Sequence, residues 1–168
     1  RAASGTSDPE LAPLNNDAPA AEIDRSASRR YVIAGEMSFE YPGRFQFRDA
    51  WREEVPAVSF VLENGSHGKP VLFMLSKLMP SQAGFIDLEA AVERDKQWQG
   101  AADVEPMTVA GISARVTAVP GASKTVYVPI GEEAYYSIIY SAPAETYGLY
   151  LGAFDQLLKT LRMARRPR

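Results

Sequence analysis

The residues that could do chemistry are few, and His67 is the only histidine in the chain. A catalytic triad or a histidine-based metal site would have to use it, because imidazole is the commonest general base near neutral pH. His67 lies in the segment 63–70, where Asn64, Pro70 and two glycines are typical of a turn between strands. We interpret His67 as a turn residue, since a turn holds a catalytic base poorly.

Two pairs of adjacent carboxylates, Glu53–Glu54 and Glu132–Glu133, are the next candidates. A glycosidase needs two carboxyl groups about 5–9.5 Å apart across a cleft. Neighbours on a strand point to opposite faces, so we expect both pairs to be solvated surface. The chain has no cysteine, which excludes thiol nucleophiles and thiolate metal sites. The sequence therefore predicts a protein that is not an enzyme, with no catalytic residue, no cofactor and no metal site.

The densest aromatic material is a set of tyrosines that we call the tyrosine seam: Tyr135, Tyr136, Tyr140, Tyr147 and Tyr150. Such rings either fill a core with their hydroxyls reaching water or form a partner-binding surface, because tyrosine is enriched at interfaces. Trp51 and Trp98 could likewise be core residues or part of a partner-binding surface, and Trp98 is a candidate contributor to that surface. If the seam binds a partner, at least two of its five rings should be substantially exposed beside a groove.

The apolar pattern predicts the elements that position these residues. Segments 71–75 and 134–140 are apolar on both alternating faces, which indicates a sheet covered on both sides. A helix from about Leu88 to Trp98, capped by Asp87, can cover one face. A last helix, from about Thr146 to Ala164, can cover the other with Tyr147, Leu151, Phe154, Leu158 and Leu161.

Short apolar runs bounded by turn residues predict the strands, and Gly121 and Gly131 favour antiparallel pairing. The expected fold class is α+β, with an antiparallel sheet flanked by helices on both faces, an α/β/α sandwich. The predicted strands are Tyr31–Ile33, Phe39–Phe47 broken at Pro42–Gly43, a hairpin of Ala57–Leu62 with Val71–Leu78, Met107–Val119, Lys124–Ile130 and Ala134–Tyr140.

Composition divides the chain into a linker and one domain. Residues 1–29 are small, polar and interrupted by proline, so we expect a disordered linker there and a folded domain over 30–168. The net charge of −3 gives the protein no overall positive potential that would attract nucleic acid, so we exclude nucleic acid as a partner. No apolar run approaches the roughly 20 residues that cross a bilayer. Membrane contact would need an anchor that this sequence lacks. A signal peptide with an anchoring cysteine upstream of Arg1 would decide for a tethered domain outside the cytoplasm.

Five sequence pieces, in this order, resemble the PsbP-like superfamily: Phe39–Gly43, the helix after Asp87, Thr108–Ala114, Tyr135–Tyr140 and Phe154–Leu161. They span roughly Tyr31 to Met163, although members often carry a tryptophan shortly after the Tyr-Pro pair, where Phe45 stands here. That superfamily includes a photosystem II extrinsic subunit, a Ran-binding nuclear import factor, bacterial lipoproteins and small chaperones. The resemblance implies an antiparallel sheet between helices that is used mainly for binding.

These observations favour a monomeric, non-enzymatic binding or accessory domain outside the cytoplasm, in the periplasm or cell envelope, tethered through its N-terminal linker. Its expected partner is a protein, and an apolar small ligand is the alternative. Two other functions stay open at this point. One is a cytosolic chaperone-like adaptor for hydrophobic protein segments, and the other is a small hydrolase.

Overall fold

The computed structural model describes residues 28–62, 69–84 and 87–164. Along these residues the chain forms strands, two α-helices and a 3₁₀ helix at Pro80–Ala83. The helices are α1 (Leu88–Gln99) and α2 (Ala144–Thr160). The strands are β1 (Ser28–Ile33), β2 (Met37–Pro42), β3 (Gln46–Asp49), β4 (Ala57–Leu62), β5 (Val71–Leu78), β6 (Ala102–Val109), β7 (Ile112–Val119), β8 (Ser123–Ile130), β9 (Ala134–Ser141) and β10 (Arg162–Met163).

The strands form two antiparallel sheets. The large sheet has the order β3-β4-β5-β9-β8-β7-β6, and the small sheet has the order β1-β2-β10. At the centre of the large sheet, β5 pairs with β9 in a register that places Phe73 opposite Tyr140 and Leu75 opposite Ile138. This register places Phe73 and Leu75 of β5 on the same face as Ile138 and Tyr140 of β9, as the alternation of strand side chains requires.

The main core lies between that face of the large sheet and α2. Val71, Phe73 and Leu75 alternate along β5 and are buried there. The rings of Phe73 and Tyr140 both stack on Phe154 of α2, with centroids 6.0 and 5.5 Å away. The predicted covering of one face by the last helix is therefore confirmed.

Helix α1 covers part of the opposite face. Its N-cap is Asp87, whose carboxylate accepts a hydrogen bond from the main-chain N–H of Ala90 at 2.9 Å, as the sequence predicts. Ala91 and Val92 are buried against Tyr127 and Tyr135 of the large sheet. With both faces covered by helices, the predicted α+β class is confirmed. None of the helices in the described ranges combines the length and apolar character that crossing a membrane requires.

Charged side chains fasten α1 to the edge of the large sheet. Arg115 of β7 contacts the carboxylates of Glu89 and Glu93 on α1 and that of Asp103 on β6. Lys96 of α1 lies 2.6 Å from the same Asp103. The pKa of Lys96 is raised by its hydrogen bonds to Asp103 and Glu93. Strand β6 begins five residues before the predicted Met107, since these ion pairs and its pairing with β7 override the weak strand preference of its charged residues.

The small sheet is an element that the sequence did not predict. It packs beside α2 on the core face, where Tyr41 of β2 lies 4.3 Å from the Phe60 ring of β4, between centroids. Helix α2 ends at Thr160, four residues before the predicted Ala164, because Leu161 adopts an extended conformation and is buried. The next two residues then pair with β2 as β10. The Thr160 hydroxyl accepts a hydrogen bond from the Glu40 main-chain N–H at 2.9 Å.

Candidate functional site

A cleft of about 750 Å³ opens between the small sheet and one end of the large sheet. Its walls are the end of β1 with the following turn, the loop between β3 and β4, and the end of β5 with the 3₁₀ helix. We call it the β1 cleft, and it is lined by Tyr31, Val32, Ile33, Ala34, Glu36, Trp51, Arg52, Glu53, Glu54, Pro56, Lys77, Met79 and Gln82.

Two aromatic side chains give the β1 cleft a firm wall. The Tyr31 ring packs against Phe39 and Phe60, with centroids 5.6 and 5.4 Å away, so the core fixes its orientation. Its hydroxyl oxygen accepts a hydrogen bond from the main-chain N–H of Trp51 at 3.2 Å. The Trp51 ring is half-buried and lies 6.5 Å from the Tyr136 ring. The core therefore holds the aromatic wall in one position.

Glu36 separates the β1 cleft from a second hollow of about 260 Å³ and lines both. Its carboxylate lies 2.8 Å from the Lys77 ammonium of β5 and accepts a hydrogen bond from the Tyr136 hydroxyl of β9. Its main-chain oxygen accepts a hydrogen bond from the N–H of Ala164 at 2.7 Å. These contacts tie the β1–β2 turn to two strands of the large sheet and to the end of the described chain. Gly35 of that turn has a φ of +76°, which favours glycine.

The rim of the β1 cleft carries exposed charge and exposed apolar surface together. Arg52, Glu53 and Glu54 are all exposed in the loop between β3 and β4. Val32 on the β1 side is 65% exposed, and Val55 in the loop is 51% exposed. Apolar residues surrounded by charges are typical of protein-binding surfaces, which have an apolar centre and a polar rim.

The tyrosine seam is mostly core. Tyr135, Tyr136, Tyr140 and Tyr150 are buried, and Tyr147 is half-buried. The expectation that at least two of the five rings would be substantially exposed beside a groove is therefore wrong. The physical reason is that β9 is a central strand between β5 and β8, so α2 covers one of its faces and α1 the end of the other. Among the seam residues, Tyr136 reaches the candidate site, through its hydroxyl on Glu36.

Trp98 is 79% exposed at the end of α1, with the Arg94 guanidinium 5.8 Å from its ring centroid. It does not line the β1 cleft. The exposure fits the predicted surface position, and a role in partner binding stays a prediction for Trp98 as for the seam tyrosines.

Glu53–Glu54 and Glu132–Glu133 are exposed, as expected of solvated carboxylates. His67 and Asn64 lie outside the described residues, and so do residues 1–27 of the predicted linker. Strand β1 begins at Ser28, two residues before the predicted start of the domain. Within residues 28–62, 69–84 and 87–164, no group of three or more histidine, aspartate or glutamate side chains is arranged to hold a metal ion.

Burial raises the pKa of four tyrosines, Tyr127, Tyr135, Tyr140 and Tyr147, above the ordinary value of 10.0. Tyrosines of the unfolded chain lose their protons near pH 10. The folded state binds these protons more tightly, so the stabilisation is complete below about pH 10 and is lost as the pH rises through the higher folded pKa values. We expect the protein to unfold in alkali, with phenolate absorbance appearing together with the loss of far-UV circular dichroism.

The reference for that titration is the protein in concentrated denaturant, whose tyrosines should all ionise near pH 10. If all the tyrosines of the native protein ionise at that same pH with the circular dichroism unchanged, the burial of the seam is contradicted.

No protein-family model and no curated protein matches the chain in sequence. Among solved structures, its fold matches the crystal structure of LpqN, which is described as involved in cell envelope biogenesis of Mycobacterium tuberculosis. The TM-score is 0.53 at 16% sequence identity, and the match covers 87% of this chain and 96% of that chain. At this identity the likeness extends to the fold and carries no residue role from one protein to the other.

Proposed function

We propose that this chain is a PsbP-like, non-enzymatic binding domain of the cell envelope, and that it contacts a partner protein through the β1 cleft. The observation that carries the proposal is the cleft itself, a preformed hollow of about 750 Å³ with a fixed aromatic wall and a charged rim. The fold shared with LpqN, a protein involved in cell envelope biogenesis, supports the location outside the cytoplasm.

The lining of the cleft favours a protein over an apolar small molecule. Small-molecule sites are predominantly hydrophobic with a few polar groups. The β1 cleft instead carries five charged side chains, Glu36, Arg52, Glu53, Glu54 and Lys77, beside Tyr31 and Trp51. Aromatic residues with a charged rim provide the anchors and the specificity of a protein interface.

The contacts inside the cleft support binding rather than catalysis. Glu36 is engaged by Lys77 and Tyr136, and the Tyr31 hydroxyl is engaged by the Trp51 main chain. Covalent hydrolases place a nucleophile beside a general base. The part of the chain that the structure describes contributes no serine, threonine or histidine to the lining of this cleft.

Site-directed photo-crosslinking in the native host tests this function. A benzophenone amino acid replaces Glu53, Val32 or Trp98 in turn, and covalent adducts are resolved from the cell-envelope and cytosolic fractions. We expect positions 32 and 53 to give the same protein adduct in the envelope fraction, because both residues line the same cleft.

Position 98 is the matched control, since Trp98 is exposed but lies outside the cleft. Adducts from position 98 alone would place the binding surface at the end of α1. Adducts from the cytosolic fraction alone would favour the chaperone-like adaptor.

A further inference from the structure

The described strands offer four outer edges, and the edge of β1 differs from the other three. β10 has two residues, and β3 has four with a register shift after Phe47. β6 has a register shift between Val104 and Met107 and contains Pro106, which cannot donate a main-chain hydrogen bond. Bulges, short strands and prolines are the usual means of blocking an edge. β1 runs for six residues in unbroken register with β2 and has no bulge and no proline, and its charged side chains are Arg29 and Arg30.

A hydrogen bond of β2 shows which way the main-chain N–H and C=O groups of β1 point. The main-chain N–H of Glu40 points away from β1, because it donates to Thr160 at 2.9 Å. Arg30, directly opposite Glu40, therefore belongs to a pair without mutual hydrogen bonds, and its own N–H and C=O point outward. The alternation places the N–H and C=O groups of Ser28 and Val32 on the same outer side. Within the described ranges, these outward main-chain groups have no hydrogen-bond partner.

We propose that the outer edge of β1 binds an extended segment of the partner protein as an added strand. This proposal rests on the proposed function and names the kind of partner that the β1 cleft takes. An added strand gains affinity from main-chain hydrogen bonds and specificity from side chains that enter neighbouring pockets. The edge of β1 supplies the hydrogen-bonding groups, and the cleft beside it supplies the pocket.

The two faces of β1 define the side chains of that segment. On one face Tyr31 and Ile33 line the cleft, so alternate residues of the added strand should be apolar and lie against this wall. On the other face Arg30 is exposed, with its guanidinium 2.8 Å from the Ser38 hydroxyl. Opposite charges directly across neighbouring strands are stabilising. The segment should therefore alternate apolar residues with acidic ones.

A second copy of this chain fits the edge less well. Two β1 strands paired antiparallel about Arg30 would bring Arg29 and Arg30 of each copy close to those of the other. Like charges directly opposite each other on neighbouring strands are destabilising. The charge pattern therefore favours a different protein with carboxylates at these positions.

Substitutions at Val32 test the added strand. Proline there removes the outward N–H without removing a hydrogen bond between β1 and β2, and proline is tolerated on edge strands. Val32→Ala is the control, because it truncates the side chain further than proline does and keeps the N–H. The probe is a capped heptapeptide of alternating valine and glutamate, titrated into ¹⁵N-labelled full-length protein and followed by amide chemical shifts.

We expect the peptide to shift the amides of Ser28, Arg30 and Val32, and Val32→Pro to weaken binding at least about tenfold, a loss of about 1.4 kcal/mol. Val32→Ala should weaken binding less than Val32→Pro does, because it keeps the main-chain N–H. A heptapeptide of alternating valine and lysine should bind more weakly than the acidic one. Both variants should keep the dispersed spectrum of the folded protein.

Three results would overturn the proposal. The first is the absence of binding, and the second is binding that Val32→Pro leaves unchanged. The third is a concentration-dependent dimer that Val32→Pro abolishes, which would assign the edge to a second copy. If crosslinking from position 53 persists after Val32→Pro is introduced into that protein, the proposed function stands and the added strand fails.

Discussion

Phe154→Ala should lower the free energy of unfolding by about 3–5 kcal/mol, the range found when buried phenylalanine is truncated. Phe154 is fully buried and stacks on both Phe73 and Tyr140. Its loss leaves a cavity at the contact between α2 and the large sheet, which neighbouring aromatic rings cannot fill without leaving their own positions. Urea denaturation followed by circular dichroism measures the change.

Gln156→Ala is the matched control for that variant, since Gln156 is exposed on the same helix. It should change stability by no more than about 0.5 kcal/mol, as is usual for surface positions. A loss below about 0.5 kcal/mol for Phe154→Ala would mean that another face of α2 packs on the sheet.

Glu36→Ala should lower the free energy of unfolding by about 1–3 kcal/mol, because it removes the partner of a buried hydroxyl and of an ammonium group. The Tyr136 ring is buried and its hydroxyl donates to this carboxylate, so the variant loses a charge-assisted hydrogen bond. Lys77 and Glu36 are each about a quarter exposed, at 27% and 25%, so their ion pair is only partly screened. The measurement is the same urea denaturation.

A double-mutant cycle with Tyr136→Phe isolates the contact between the two side chains. The combined variant should lose less than the sum of the single losses, by at least about 0.5 kcal/mol. If the two losses of unfolding free energy simply add, Glu36 stabilises the β1–β2 turn by other contacts. The position of Glu36 between the two hollows would then not depend on Tyr136.

The secondary structure was largely predictable because local signals are strong there. The Asp87 cap, the apolar spacing in α1 and the turn residues between β4 and β5 each have a local physical cause. The small sheet was not predictable in this way. Its β10 strand is two residues long and forms only because the end of α2 places Arg162 and Met163 beside β2. A pairing between positions so far apart leaves no local pattern in the sequence.

The β1 cleft escaped prediction for the same reason. Glu36 and Lys77 are separated by 41 residues and Glu36 and Tyr136 by 100, and no motif links them. Aromatic density in the sequence favours the tyrosine seam as a binding surface, yet such density along a central strand indicates core packing when both faces of the sheet are covered. Trp51 was singled out by residue type, and its position in the cleft depends on the loop between β3 and β4.

Amide hydrogen exchange tests most directly whether the β1 cleft is the binding surface. The protein captured by crosslinking from position 53 is purified, and exchange is compared for this domain alone and in the complex. We expect slower exchange in the complex at Arg30, Val32 and the loop 51–56, with unchanged exchange around Trp98. Slower exchange confined to the end of α1, with the amides of β1 unaffected, would contradict this expectation.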